Sequence, residues 1–301
     1  MSRSSVNNTP RRIGIHMSTS GGILKVPERA HSIGANTLQI FSSSPRMWRP
    51  SHIPASDGTR MRELLHQYDC NPLVIHASYL VNLCSQSSEV CRKSIAAFRG
   101  EIERALALGA KYLVVHPGSW RGLTRNEGLR LAVESIEAAT NGLCLDGAFR
   151  ILIENTAGAE FSLGGSFEQV AELIARLKPV VPVGACIDTC HCHVAGYDLV
   201  SKKGYEETLR LIDTTIGFDT VRVLHMNDAK AARGSKLDRH EHVGMGTIGF
   251  ATFRRLLSDP RFAHCAFISE TPVTQERDEA SNVRALLDLL PTKKSESPST
   301  A

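Results

Sequence analysis

Short apolar runs rich in β-branched residues recur along this chain, and most of them stop at a polar or charged residue. Such runs are typical of strands that are buried on both faces of a parallel sheet. We identify eight predicted strands: Ile13–His16, Thr37–Phe41, Leu73–His76, Tyr112–His116, Ile151–Glu154, Val183–Asp188, Val221–His225 and Ala266–Glu270.

Between these runs, apolar residues recur at the spacing of amphipathic helices. Gly109 and Gly217 directly follow two of the helical stretches, where glycine commonly ends a helix. Eight alternating units without a central break predict a closed (β/α)8 TIM barrel, in preference to an open doubly wound sheet. The predicted helices are Arg60–Gln67, Glu89–Leu108, Glu127–Ala139, Phe167–Leu177, Tyr205–Ile216, Phe250–Leu257 and Asp278–Leu289.

A length of 301 residues suits one barrel domain, which we place at residues 12–290 with disordered tails at 1–11 and 291–301. No run approaches the ~18 apolar residues of a membrane span. The polar N-terminus lacks the apolar centre of a secretory signal. Eight cysteines form no CxxC pair, which favours a reduced, cytoplasmic enzyme. The formal net charge of +4 permits a nucleic-acid partner without requiring one.

Six consecutive predicted strands end on His, Asp or Glu, and functional side chains in a TIM barrel come from these C-terminal strand ends. Burying such groups side by side costs on the order of several kcal/mol each unless divalent cations neutralise the carboxylates and use the imidazole lone pairs. The candidate ligands are His76, His116, Glu154, Asp188, His225 and Glu270, joined by His191, Asp238 and His240 from nearby loops.

This ligand set is too large for one ion and suits two or three. Its imidazoles favour zinc or manganese over magnesium or calcium. Three zinc ions against four carboxylates would leave the site net positive, which suits a phosphodiester substrate and in-line displacement at phosphorus.

The motifs around these residues resemble the endonuclease IV family of apurinic/apyrimidinic endonucleases, and the resemblance spans roughly residues 12–290. It implies a deoxyribonuclease IV (phage-T4-induced type) that hydrolyses the phosphodiester 5′ to an abasic site in double-stranded DNA and leaves a 3′-hydroxyl. The motifs are residues 76–83 (HASYLVNL), 116–119 (HPGS), 154–158 (ENTAG), 186–191 (CIDTCH), 195–198 (AGYD), 225–230 (HMNDAK), 238–240 (DRH) and 269–271 (SET).

The resemblance also implies a trinuclear zinc site, with manganese as the alternative at some positions. Glu154 would bridge a first zinc to a second, and Glu270 would orient or deprotonate the attacking water. The first zinc would be held by His76, His116 and Glu154, the second by Glu154, Asp188, His225 and Glu270, and the third by His191, Asp238 and His240. The enzyme would act as a monomer in the bacterial cytoplasm or nucleoid. The roles of His193 and His242 stay open.

Duplex binding requires phosphate contacts and a side chain that fills the gap left by an extruded nucleotide. The loop at residues 44–49 combines arginines with Trp48, and by resemblance Arg46 and Tyr79 enter the duplex. A second basic loop beside the third ligand set begins at Lys230 and ends at Arg239, and we interpret it as a backbone clamp.

The main alternative is a divalent-metal sugar isomerase or epimerase of the related barrel superfamily. Such sites use two Glu, one Asp and one His around one or two metals in a closed pocket, so the additional set of His191, Asp238 and His240 argues against it. A DNA-damage binding module without catalysis is a further interpretation, and the presence of both Glu154 and Glu270 argues against that one.

Overall fold

The computed structural model describes residues 10–48, 52–145, 147–274 and 278–291. The predicted tails therefore lie largely outside the described residues, as does Arg49 of the first basic loop. Arg11 is described, and its guanidinium donates to the carbonyl of Asp259 at 2.8 Å.

Eight parallel strands form a closed barrel in which the first strand pairs with the second and with the last. All eight predicted strands are confirmed, and their bounds differ by at most one residue from those predicted. The barrel strands are β1 (Arg12–His16), β2 (Thr37–Phe41), β3 (Leu73–His76), β4 (Tyr112–Val115), β5 (Arg150–Glu154), β6 (Val183–Asp188), β7 (Val221–His225) and β10 (Ala266–Ser269). Two short strands, β8 (Asp228–Ala229) and β9 (His240–Glu241), form a separate antiparallel sheet.

Helices follow the barrel strands, and the seven predicted helices are confirmed as α2 to α5 and α7 to α9. The two short helices α1 and α6 were not predicted. The residues of α6 (TCHCHVA) are almost all buried, so this helix has no exposed polar face. Its sequence therefore lacks the amphipathic period by which helices are predicted. No described helix is long and apolar enough to cross a membrane. The helices are α1 (Val26–Ser32), α2 (Ala55–Gln67), α3 (Ser88–Leu108), α4 (Arg125–Thr140), α5 (Phe167–Leu177), α6 (Thr189–Ala195), α7 (Lys202–Thr215), α8 (Phe250–Ser258) and α9 (Glu279–Leu287).

An apolar layer formed by side chains of the barrel strands lies below the strand-end His, Asp and Glu residues. Each of its members named here precedes one of those residues by two positions, and side chains two apart on a strand share a face. The strand-end groups therefore emerge on the same side, above this layer. The layer contains Val74, Val114, Leu152, Cys186, Val223 and Ile268.

Candidate metal centre

The candidate centre is a cluster of His, Asp and Glu side chains at the C-terminal end of the barrel. In three sets of described residues, the nitrogen and oxygen atoms that can bind a metal lie within 4.8 Å of one another. All nine residues singled out from the sequence belong to these sets, and Glu154 belongs to two of them. The sets are His76–His116–Glu154, Glu154–Asp188–His225–Glu270 and His191–Asp238–His240.

Glu154 is fully buried at the end of β5, between two of the sets. Its Oε2 lies 2.9 Å from Nε2 of His116 and 3.2 Å from Nε2 of His76. Its Oε1 lies 2.8 Å from Nδ1 of His225. Burial disfavours the ionised carboxylate, but the imidazoles of His225 and His116 outweigh it and hold the pKa of Glu154 well below its usual range. One oxygen thus faces each set, which suits a carboxylate that bridges two ions.

Asp188 and His225 are neighbours because β6 and β7 pair them in register. Asn227 links Asp188 to Glu270: its Nδ2 donates to Oδ2 of Asp188 at 2.6 Å and to Oε2 of Glu270 at 3.3 Å. The backbone N–H of Glu270 donates to Oδ1 of Asn227 at 2.6 Å. The buried amide of Asn227 therefore fixes two carboxylates of the same set, a role that the sequence analysis did not assign.

The third set joins a helix to the β8–β9 sheet. The prediction that His191 lies on a loop is wrong: the side chain of Asp188 caps α6 and accepts from the backbone N–H of His191 at 2.7 Å. His240 lies on β9, and Asp238 lies in the loop before it. Oδ2 of Asp238 is 3.2 Å from Nε2 of His191, and its Oδ1 is 3.2 Å from Nε2 of His240.

Backbone carbonyls set the hydrogen positions of three imidazoles. Nδ1 of His76, His191 and His240 each lies within hydrogen-bond distance of a carbonyl oxygen, and a carbonyl only accepts. Nδ1 therefore carries the hydrogen, and Nε2 faces the carboxylates. The acceptors are the carbonyls of Ala77, Asn155 and Glu270, at 2.8, 2.9 and 3.0 Å respectively.

This donor set fits divalent metal ions. Burial acts to lower the pKa of His76 and of His240, but the neighbouring carboxylates raise both to about 9. Nε2 of His240 is buried and has no hydrogen-bond partner among the described residues, although Asp238 lies 3.2 Å away. A divalent cation would replace the protons, satisfy this nitrogen and neutralise the carboxylates.

Two buried cysteines lie beside the same atoms. Sγ of Cys186 lies within 4.8 Å of ligand atoms of Glu154 and His225, and Sγ of Cys190 lies equally close to Asp188 and His240. Burial raises the pKa of both thiols, so both hold their protons in the metal-free protein.

Gln39 of β2, which was not predicted as a site residue, contacts three residues of the centre. Its Nε2 lies 2.5 Å from Oε1 of Glu270 and 2.9 Å from Nδ1 of His16, and its Oε1 lies 2.9 Å from Nε2 of His225. The sequence does contain a signal for it, since Gln39 is a polar residue between Leu38 and Ile40 in a strand that is predicted to be buried.

A cleft of about 440 Å³ opens above the ligand sets, and Tyr79 lies on its wall with 72% of its surface exposed. The rings of Tyr79 and Phe41 pack edge to face with centroids 5.1 Å apart. Ser78 donates to the carbonyl of Pro45 at 2.7 Å, so the loop that carries exposed Arg46 meets the loop that carries Tyr79. The structure thus brings Arg46 and Tyr79 to one rim.

The remaining candidates for DNA contact lie near this rim and differ in how exposed they are and in whether their charges are paired. Trp48 is partly buried. Lys230 and Arg239 are both exposed and flank the strands β8 and β9, with Nζ of Lys230 3.7 Å from Glu241. Arg233 of the same loop is paired with Asp198 at 2.9 Å, which ties its charge to the protein surface.

The two histidines with open roles contact residues outside the ligand sets. Nε2 of His193 lies 3.1 Å from Oγ1 of Thr247. Nδ1 of His242 accepts from Nδ2 of Asn282 at 3.0 Å, which connects the segment after β9 to α9. Both contacts indicate that these side chains hold neighbouring segments in place.

A family described as xylose isomerase-like TIM barrel matches residues 27–293. A probable endonuclease 4 of Solibacter usitatus is 44% identical over 288 residues, covering 94% of this chain and 98% of the relative. One of Chloroflexus aurantiacus is 39% identical over 277 residues, covering 92% of this chain and 96% of the relative.

Solved structures divide into close and distant likenesses. The crystal structure of endonuclease IV from Thermus thermophilus has a TM-score of 0.83 and 36% identity, covering 92% of this chain and 98% of that one. A D-psicose 3-epimerase has a TM-score of 0.61 at 14% identity, covering 91% of this chain and 89% of that one, a likeness of fold alone. The chain therefore belongs to the endonuclease IV family of TIM-barrel proteins.

Proposed function

We propose that this protein is a DNA-repair endonuclease of the deoxyribonuclease IV type, which hydrolyses the phosphodiester 5′ to an abasic site and leaves a 3′-hydroxyl during base excision repair. One observation carries the proposal: three adjoining ligand sets, two of which share Glu154, lie beneath a cleft with exposed Tyr79 on its wall. Membership of the endonuclease IV family supports it.

We assign three zinc ions to the three ligand sets, with manganese as the alternative at some positions. The supporting observations are five imidazoles among the donors and a buried Nε2 on His240 that makes no hydrogen bond to a described residue and has Asp238 as an ion-pair partner. When bound, such ions polarise phosphoryl oxygens, lower the pKa of water and stabilise the leaving oxygen of an in-line displacement.

The carboxylate of Glu270 is assigned to orient the attacking water and accept its proton. Its Oε1 is held by the amide of Gln39, while its Oε2 faces Nδ1 of His225 at 3.3 Å. Burial disfavours the charge on Glu270, but the imidazoles of His225 and His76 keep its pKa well below the usual range. Glu270 is therefore ionised, which a proton acceptor must be. Glu154 is assigned as a ligand that two of the sets share.

The rim residues are assigned to the duplex. Tyr79 presents a supported aromatic ring, which suits insertion into the gap beside an extruded abasic nucleotide. Arg46 and Trp48 lie on the adjacent loop, and the exposed cations Lys230 and Arg239 are assigned to the phosphate backbone. We further propose that the enzyme works as a monomer in the cytoplasm.

The test is incision of a duplex that contains one abasic site, with the undamaged duplex as control. We expect a single nick at the 5′ side whose 3′-hydroxyl end a DNA polymerase extends. A strong chelator should abolish the nick, and added zinc should restore it.

Two outcomes would overturn the proposal. Incision that persists after metal content has fallen to background would exclude a metal-dependent site. Failure to nick abasic DNA, together with turnover of a ketose, would establish the sugar epimerase alternative.

A further inference from the structure

Gln39 is fully buried in β2, and its amide makes three contacts with residues of the centre. The neighbouring strands explain this placement. Thr37–Phe41 pairs with β1 on one side and β3 on the other, and Gln39 is the register partner of His16 in β1. Its side chain thus reaches across the barrel to His225 and Glu270, which lie on or just after β7 and β10.

The contacts define the orientation of the amide. The atom 2.5 Å from the Glu270 carboxylate must be the donating Nε2, because a carboxylate oxygen accepts. The second N–H of the same nitrogen points to Nδ1 of His16 at 2.9 Å. The carbonyl Oε1 is then left to accept from Nε2–H of His225 at 2.9 Å.

His225 differs from three other imidazoles of the centre in which ring nitrogen faces the carboxylates. His76, His191 and His240 carry a hydrogen on Nδ1 and turn Nε2 to the carboxylates. On His225, the hydrogen of Nε2 donates to Gln39, and Nδ1 faces Glu154 at 2.8 Å and Glu270 at 3.3 Å. Because these carboxylates only accept, Nδ1 carries a second hydrogen in the metal-free protein, and a bound metal ion would take the place of that hydrogen.

We propose that Gln39 is a positioning residue that sets which nitrogen of His225 binds metal and fixes the Glu270 carboxylate beside it. The inference rests on the proposed function for its catalytic consequence, but not for its structural part. Gln39 acts through His225 and Glu270 and does not touch the DNA, so its loss should lower kcat and leave KM unchanged. Partners of this kind typically contribute about 10–100-fold in activity or metal affinity.

The test uses the full-length zinc-loaded protein with 15N-labelled histidine. In the wild type, NMR should show His225 with a hydrogen-bonded Nε2–H. Gln39→Met keeps the side-chain length and removes both functions of the amide, so the Nε2–H resonance should move upfield. Zinc retention against a competing chelator should fall together with kcat, each by about 10–100-fold.

A second variant separates the two contacts. Gln39→Glu keeps an oxygen that accepts from His225 but places a carboxylate oxygen against Glu270. Its His225 resonance should therefore remain close to that of the wild type while kcat falls. This variant also keeps the test decisive if Gln39→Met does not fold.

The matched control is Thr37→Val on the same strand. Thr37 is fully buried and donates to the carbonyl of Pro72 at 2.6 Å, away from the ligand sets. The Thr37→Val substitution should lower the melting temperature without changing the His225 resonance, zinc retention or kcat.

Two results would overturn the positioning role. One is a kcat within twofold of wild type and an unchanged His225 resonance in Gln39→Met, or, if that variant does not fold, a kcat within twofold of wild type in Gln39→Glu. The other is a joint fall of kcat, zinc retention and melting temperature in both Gln39→Met and Thr37→Val, which indicates general destabilisation. Absence of abasic incision by the wild type, with the expected NMR and zinc results, would instead refute the proposed function alone.

Discussion

A buried ion pair on α3 anchors the loop that carries Arg46. Glu101 and Arg104 are only 3% and 7% exposed, and Nη2 of Arg104 lies 3.0 Å from Oε2 of Glu101. Ser42, the first residue after β2, donates to Glu101 and accepts from Nε of Arg104 at 2.8 Å. The first residue of the loop is thus fixed to α3 by two buried charges.

Arg104→Met would leave the carboxylate of Glu101 buried with Ser42 as its remaining partner. Removal of one partner of a buried ion pair costs about 3–5 kcal/mol. For a large domain, each kcal/mol lowers the melting temperature by about 2–4 °C, so a loss of roughly 6–20 °C is expected. The double variant Glu101→Leu/Arg104→Met should recover most of this loss, because an apolar pair of similar volume carries no desolvation cost.

The assay is thermal unfolding of the zinc-loaded variants by circular dichroism. Arg130→Met is the control, since its pair with Glu134 at 2.7 Å is about half exposed on both sides and should contribute under ~1 kcal/mol. The KM for abasic duplex should rise in Arg104→Met while kcat changes less, because we assign this loop to DNA binding and it carries none of the candidate metal ligands. A double variant as unstable as the single one would refute this reasoning.

Two further predictions concern the metal centre, and a third concerns its rim. Elemental analysis should find close to three zinc ions per chain and close to two in Asp238→Ala, whereas one ion, or magnesium alone, would contradict the trinuclear assignment. Glu270→Gln should keep abasic-DNA binding and lose about 10²–10⁴-fold in incision, as expected for a lost general base. The surface control Glu172→Gln should keep full activity. Normal incision by Glu270→Gln would remove Glu270 from the mechanism. Tyr79→Ala should weaken abasic-duplex binding by roughly 1–3 kcal/mol, measured by fluorescence anisotropy, because the proposed stacking of the ring on bases would be lost. Unchanged affinity would show that the ring does not enter the duplex.

The elements that the sequence predicted well are those with a strong local signal. Buried parallel strands appear as apolar runs, and the long helices α3 and α5 appear as amphipathic periods. Helix α6 has no such period because both its apolar and its polar residues are buried, and so His191 was assigned to a loop. The cap that begins α6 depends on Asp188, whose carboxylate had been assigned only to the metal centre.

The sequence by itself determined the barrel and the residue types at its C-terminal rim, because strand length, alternation and strand-end chemistry are local properties of the chain. Only the tertiary structure decided which nitrogen of each of these imidazoles faces the carboxylates. It also decided that Gln39 belongs to the centre. These properties depend on closure of the barrel, which brings Gln39 within hydrogen-bond distance of Glu270, a residue 231 positions away in sequence. No local pattern encodes that distance.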